Sequence, residues 1–335
     1  MMGLAGAKRN KCRRLLTPIE IEGQRHDEDR VNNPSLIAWF DFTDKQTMIK
    51  ANTSNDRPFN ADRVWYVKNK VNMVFQKWQS IGHKGLTAYL ATAANDAPYF
   101  IDTTQLLPDF YGPPSLFFDG THHMIGFTGS TTDFSTSELE FPGVTIFIVC
   151  DRIAPDSAQI QDVLSINDNT GTKGIFCNFD INEKFGVQVT DASVSTGEVR
   201  YDTADDEKKH YHSYVSPVEY ITNQNMAMLD ADGFMAGWLS GGSTYSKVNM
   251  LTGVPTTTLE FSGTSSNNFL GVGCRKDGSG VNASTKFRGL IYEILIFKND
   301  LAGGYVASDS GYDRNTMRDM LNYLHRKYKY VLNKV

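Results

Sequence analysis

Apolar and polar positions along the chain fall into short runs of the kind that strands make, and they rarely follow a helical period. SLIAWFDF (35–42) is mostly apolar and is bounded by Pro34 and Asp44. SLFFDG (115–120) ends in a turn-forming Asp-Gly pair. VTIFIVC (144–150) is rich in β-branched residues and apolar at successive positions, which predicts a strand covered on both faces. GIFCNFD (174–180) and FGVQVT (185–190) are separated by a hairpin-sized gap. In the second of them Phe185, Val187 and Val189 alternate with Gly186, Gln188 and Thr190, which predicts one wet face. Further strands are expected at 226–229, 234–239 and 269–273. No repeat of 20–50 residues is visible, and helices do not alternate with strands, so a doubly wound α/β fold is disfavoured.

The end of the chain reads differently. Leu290 to Phe297 is apolar on both faces except at Glu293, as a central strand would be. After a loop containing Gly303, Gly304 and Gly311, Asp313 is placed to cap a helix over 313–331. Met317, Met320, Leu321, Leu324, Tyr328 and Val331 follow at three- and four-residue steps, giving one apolar stripe. His325, Arg326, Lys327 and Lys329 fall in the last turns, where cations suit the helix dipole. Such a helix needs an apolar surface, and the β domain before it supplies one.

Several of these pieces, in this order, resemble the concanavalin A-like lectin/glucanase superfamily, in particular its laminin-G-like jelly-roll domains. They are Trp39 and Asp41 in the opening strand, Phe118-Asp119-Gly120, the core strand VTIFIVC, Gly271 and Gly273, and Gly289, Ile291, Glu293 and Ile294 in the closing strand. The tyrosine-bearing terminal helix resembles the one that closes many of these domains. The resemblance covers residues 34–332 and implies an all-β jelly-roll sandwich with an N-terminal extended arm and a C-terminal helix. It divides the chain into an arm, 1–33, and a lectin-like domain, 34–335. At 234–242, FMAGWLSGG carries Gly241-Gly242 where the family often has an Asn-Gly hairpin.

Composition adds limits. The 335 residues are 40% hydrophobic and 21% charged, with a net charge of −5, so the molecule as a whole is not built to bind nucleic acid. Basic residues concentrate in the arm instead: Lys8, Arg9, Lys11, Arg13 and Arg14, followed by Asp27, Glu28 and Asp29. Five cations on an arm could touch nucleic acid and equally suit an acidic protein neighbour, and the arm is expected to be held by a partner subunit. The longest apolar run is strand-sized, so no membrane span is expected. The first sixteen residues lack the pattern of a secretory signal, and the four cysteines (Cys12, Cys150, Cys177, Cys274) lie far apart, so synthesis in a reducing cytoplasm is expected.

Candidate chemistry is sparse. The fold's glucanases resemble one another in a Glu-x-Asp-x-x-Glu strand that places paired acids in one groove. Here Glu293 stands alone, with Leu295 where a partner acid would fall, and a buried, hydrogen-bonded carboxylate is the expected role. Glu138 and Glu140 sit in a loop or edge segment. Asp230–Gly233 and Asn167–Gly171 resemble fragments of calcium loops but read as turns. His210 and His212 flank Tyr211 without an evident third ligand, and His122-His123 cannot chelate together in a strand. No nucleophile elbow or P-loop occurs. No metal, cofactor or enzymatic activity is therefore expected.

Aromatic residues between the first two strand texts, namely Trp65, Trp78, Tyr89, Tyr99 and Tyr111, have polar neighbours and could face sugar rings. Trp65, Trp78 and Tyr111 are taken as the candidate carbohydrate contacts. Jelly-roll domains of this type, without a catalytic motif or a signal peptide, often occur in tailed-bacteriophage virions. The resemblance thus implies a non-enzymatic structural virion protein, a capsid decoration or a tail or fibre part made in the host cytoplasm. It would assemble through the arm with other virion proteins as a homo-oligomer such as a trimer. A carbohydrate- or receptor-binding protein is the alternative, and an atypical glycoside hydrolase the third reading.

Overall fold

The computed structural model describes residues 36–71, 89–102, 113–127, 143–153, 159–168, 174–182, 185–191, 194–200, 218–221, 226–229, 246–249, 268–277 and 280–297, and also Met320, Tyr323, Leu324 and Lys327. The arm at 1–33, Trp78, Tyr111, the strand expected at 234–239, Glu138, Glu140, His210, His212 and Asp230–Gly233 lie outside the described residues.

Among the described residues the chain forms β1 (Leu36–Asp41), β2 (Met48–Lys50), β3 (Val64–Val67), β4 (Tyr89–Ala91), β5 (Tyr99–Ile101), β6 (Ser115–Asp119) and β7 (Met124–Phe127). There follow β8 (Gly143–Arg152), β9 (Gln161–Asp168), β10 (Gly174–Phe179), β11 (Phe185–Asp191), β12 (Val194–Arg200) and β13 (Val218–Ile221). The last are β14 (Met226–Leu229), β15 (Ser246–Asn249), β16 (Asn268–Val272), β17 (Lys276–Asp277), β18 (Gly280–Val281) and β19 (Arg288–Phe297). Every strand expected from the apolar runs at 35–42, 115–120, 144–150, 174–180, 185–190, 226–229, 269–273 and 290–297 is found, within a residue or two.

Two antiparallel sheets result. The first runs β15-β14-β13-β8-β19-β6-β5, with β1 also paired to β19, and the second runs β12-β11-β10-β9-β16-β7-β4-β3-β2. β19 is central: its length pairs with β8, while its other edge is shared by β6 at Arg288–Ile291 and β1 at Glu293–Phe297. One apolar core lies between the sheets. Phe40, Ile148, Ile294 and Ile296 come from the first sheet, and Val67, Leu90, Leu164, Cys177 and Val272 from the second. The protein is a β-sandwich, with the two inner faces meeting as such sheets do.

The first sheet is buried on its other face as well. Trp39, Phe147, Leu295 and Phe297 alternate with the core set along β1, β8 and β19 and are fully buried. Met320, Tyr323, Leu324 and Lys327 have helical backbone, and the first three are buried, with Tyr323 packed edge-on against Trp39 at 6.0 Å. This second layer explains why β8 and β19 read as continuous apolar runs.

Two glycines are required by position. Gly273 has φ +72°, and a Cβ there would meet the Phe118 ring at 2.6 Å. At Gly289 a Cβ would run into the Asp151 carbonyl of β8. Cys150, Cys177 and Cys274 are free and buried, as expected of small apolar residues.

Candidate functional site

Among the described residues, two of the places where polar side chains gather differ in whether anything can reach them. The first is the lock on the outer face of β1 and β19. Cross-strand pairing sets Asp41 opposite Glu293. Glu293 is fully buried; its Oε1 accepts from Trp39 Nε1 at 2.5 Å and from the Tyr323 hydroxyl at 2.8 Å. Lys327 Nζ donates to Glu293 Oε2 at 2.9 Å and to Asp41 Oδ2 at 2.8 Å. Lys70 Nζ reaches the same Asp41 oxygen at 3.0 Å and lies 4.5 Å from the centre of the Trp39 ring. Burial alone would raise the Asp41 carboxyl, but Lys327 and Lys70, with the Lys327 and Thr43 hydrogen bonds, hold it well below the ordinary carboxylate range. Burial would likewise depress Lys327, yet Asp41 and Glu293 raise it above the ordinary lysine value.

Asp41 and Glu293, both buried, are thus neutralised by Lys70 and by the partly exposed Lys327. Glu293 plays the buried, hydrogen-bonded role expected of it. Lys327, expected near a helix end for its charge on the dipole, instead ties the helical residues to both strands. This cluster ties the helical residues to the outer face of the first sheet.

The second place is open. On the outer face of the second sheet, register sets Tyr66 opposite Ala91, Tyr89 opposite Phe127, and Ala91 opposite Ile125. Their neighbours Val67, Leu90, Met124 and Gly126 are buried, all but Gly126 as members of the inter-sheet core. Tyr66 and Tyr89 stack at 4.6 Å, and Tyr89 and Phe127 at 5.7 Å, so three rings form a continuous platform. Burial and the neighbouring Tyr89 raise the Tyr66 hydroxyl above its ordinary pKa, so it remains protonated.

Trp65 joins this platform through a bulge. Ile49 pairs with Tyr66 while the next residue, Lys50, pairs with Val64, which leaves Trp65 as the extra residue on β3. Strict alternation would send Trp65 and Tyr66 to opposite faces, but a bulge re-aims a side chain. The two rings lie 6.3 Å apart, and both line one cavity of about 560 Å³ with Tyr89, Phe127, Ala91, Thr92, Ala93, Ile125, Asp96 and His123. Trp65 Nε1 is buried and has no hydrogen-bond partner among the described residues.

The polar end of the cavity is fixed by the 92–96 turn. Asp96 N–H donates to the Ala93 carbonyl, and the Asp96 carbonyl accepts from His123 N–H at 3.0 Å. Arg63 holds the turn from behind, donating to the Ala94 and Asn95 carbonyls at 3.1 and 2.7 Å. His123 is 7% exposed, and its Nδ1 has no partner among the described residues. Burial, with Lys286 nearby, pushes its pKa down to about 4, so the imidazole is neutral at ordinary pH. His122 and His123 lie in the connection between β6 and β7, where His123 faces the cavity and His122 packs on Tyr99.

Of the expected carbohydrate contacts, Trp65 therefore lies in the cavity, and Tyr89 joins it. Tyr99 stands apart, its hydroxyl accepting from Arg63 at 2.9 Å. Tyr66, Phe127, Asp96 and His123 were not anticipated; nothing within VWYV or HHMIGF marks them, because they meet through register. Among the described residues no three His, Cys, Asp or Glu side chains are grouped to hold a metal.

No family model and no curated protein matches the chain. Among solved structures it is similar to the Trypanosoma rangeli sialidase, with a TM-score of 0.44 and 9% identity over 92% of this chain and 38% of that one. It is also similar to a K499G mutant of the NanB sialidase from Streptococcus pneumoniae, with a TM-score of 0.37 and 11% identity over 60% of this chain and 27% of that one. A third is the Ruminococcus gnavus IT-sialidase CBM40 bound to α2,3-sialyllactose, with a TM-score of 0.35 and 14% identity over 53% of this chain and 83% of that one. This chain thus spans well under half the length of the two sialidases. At such identities and scores the likenesses carry no argument about activity or ligand.

Proposed function

We propose that the protein is a non-enzymatic, glycan-binding module of the concanavalin A-like jelly-roll kind, closed by a C-terminal helix over 313–331. The observation that supports this reading is the Tyr66–Tyr89–Phe127 platform with Trp65 at its side and unpartnered polar atoms at its end. A pyranose has apolar C–H faces that suit an aromatic platform and hydroxyls that need donors and acceptors at the rim. Hydrolysis would require two carboxylates flanking the bond; among the described lining residues Asp96 is the one acid. The test is a glycan array probed with the full chain and with the Tyr89→Ala variant. Saturable binding reduced at least tenfold by the substitution supports the reading, and an array without signal overturns it.

A structural role in a tailed-phage virion is compatible with this site and is favoured by a separate feature, the basic arm at Lys8, Arg9, Lys11, Arg13 and Arg14 that precedes the sandwich. In that setting residues 1–33 bind other virion proteins or copies of the chain, and the aromatic face is displayed outward as a host-surface contact.

A further inference from the structure

We infer that the cavity selects neutral sugars and rejects acidic ones, an inference that rests on the glycan-binding reading above. Two buried nitrogens of the lining have no partner among the described residues, the donor Trp65 Nε1 and the imidazole His123 Nδ1. The lining also supplies the Thr92 hydroxyl and the Asp96 carboxylate. A hydroxyl both donates and accepts, so it satisfies the indole N–H, the carboxylate, and the imidazole in either tautomer. A sugar carboxylate or sulfate only accepts. Placed beside Asp96, such a group would offer it no donor and would set two negative charges in one partly enclosed space.

Charge compensation is absent from the described lining. Arg63 directs one nitrogen at the Ala94 and Asn95 carbonyls and another at Tyr99, and it does not line the cavity. Lys286 donates to the Thr121 carbonyl and does not line it either. His123 is 7% exposed, and charging it there is opposed by desolvation and by Lys286 and favoured by Asp96, with the balance keeping it neutral at ordinary pH. The walls that remain are the rings of Tyr66, Tyr89 and Phe127 and small aliphatic groups, which take the C–H face of a neutral pyranose without any ionic partner, while the two phenol hydroxyls can donate or accept.

The experiment is calorimetric titration of the full chain with matched pairs of oligosaccharides, each neutral glycan beside the same glycan capped by sialic acid or carrying a uronic acid. The inference predicts measurable affinity for a neutral member and at least tenfold weaker binding of its acidic partner. It predicts as well that Asp96→Asn narrows this gap by raising affinity for the acidic partner. Equal or tighter binding of acidic glycans overturns the neutral-sugar assignment while leaving glycan binding intact. Failure of every glycan to bind, with the variant still folded by circular dichroism, overturns both.

Discussion

Glu293 and His123 are both buried titratable groups, and their surroundings assign them opposite roles. Glu293 has each oxygen occupied, by Trp39, Tyr323 and Lys327. Replacing it with Gln leaves Lys327 with one counter-charge, and breaking a buried pair in this way costs about 3 kcal/mol or more. Glu293→Gln and Lys327→Met should each lower stability by that amount in urea unfolding. Their double variant should lose less than the sum, because both break the same network. The network also has a pH signature. Asp41 is held below its ordinary 3.8, so its contribution is complete above that pH and fades as acid is added. Lys327 is raised above 10.5, so its contribution is complete below that pH and fades in stronger base. His123 is depressed from 6.5 to about 4, so the unfolded chain binds the extra proton between these values. Stability should therefore fall as pH drops from 6.5 to 4, by up to about 3 kcal/mol. His123→Gln should flatten that part of the curve, measured as unfolding midpoints across pH 4–7.

At the scale of elements, the strands were legible because their burial pattern is local. VTIFIVC and the 290–297 run are apolar at successive positions because one face meets the core and the other meets Trp39, Tyr323 and their neighbours. What could not be read is whatever depends on register between distant segments. Tyr66, Tyr89 and Phe127 are far apart along the chain and stack only once β3, β4 and β7 are aligned. Trp65 was legible as an aromatic with polar neighbours, but its placement beside Tyr66 follows from the bulge opposite Ile49–Lys50, which has no signature in VWYV. The lock was half legible: Glu293 announced itself as the lone charge in an apolar strand, whereas Lys327 looked like an ordinary helix-end cation. Gly271 and Gly273 stood out only as part of the resemblance, and the structure gives a physical reason at Gly273. Gly273→Ala would combine a strained φ with a clash against Phe118, and it should cost about 2 kcal/mol or more in thermal or urea unfolding.

At the scale of the whole molecule, a β-sandwich with an outward aromatic face follows a basic segment in the sequence. If residues 1–33 drive assembly, light scattering should give an oligomeric mass for the full chain and a monomeric mass for a chain beginning at Pro34. Equal masses would remove self-association through the arm. The central claim is that the Tyr66–Tyr89–Phe127 face holds a sugar, and hydrogen exchange with and without the best-binding neutral oligosaccharide tests it most directly. The account predicts added protection confined to 64–67, 89–96 and 123–127. Protection elsewhere on the sandwich, with these segments unchanged, would contradict it.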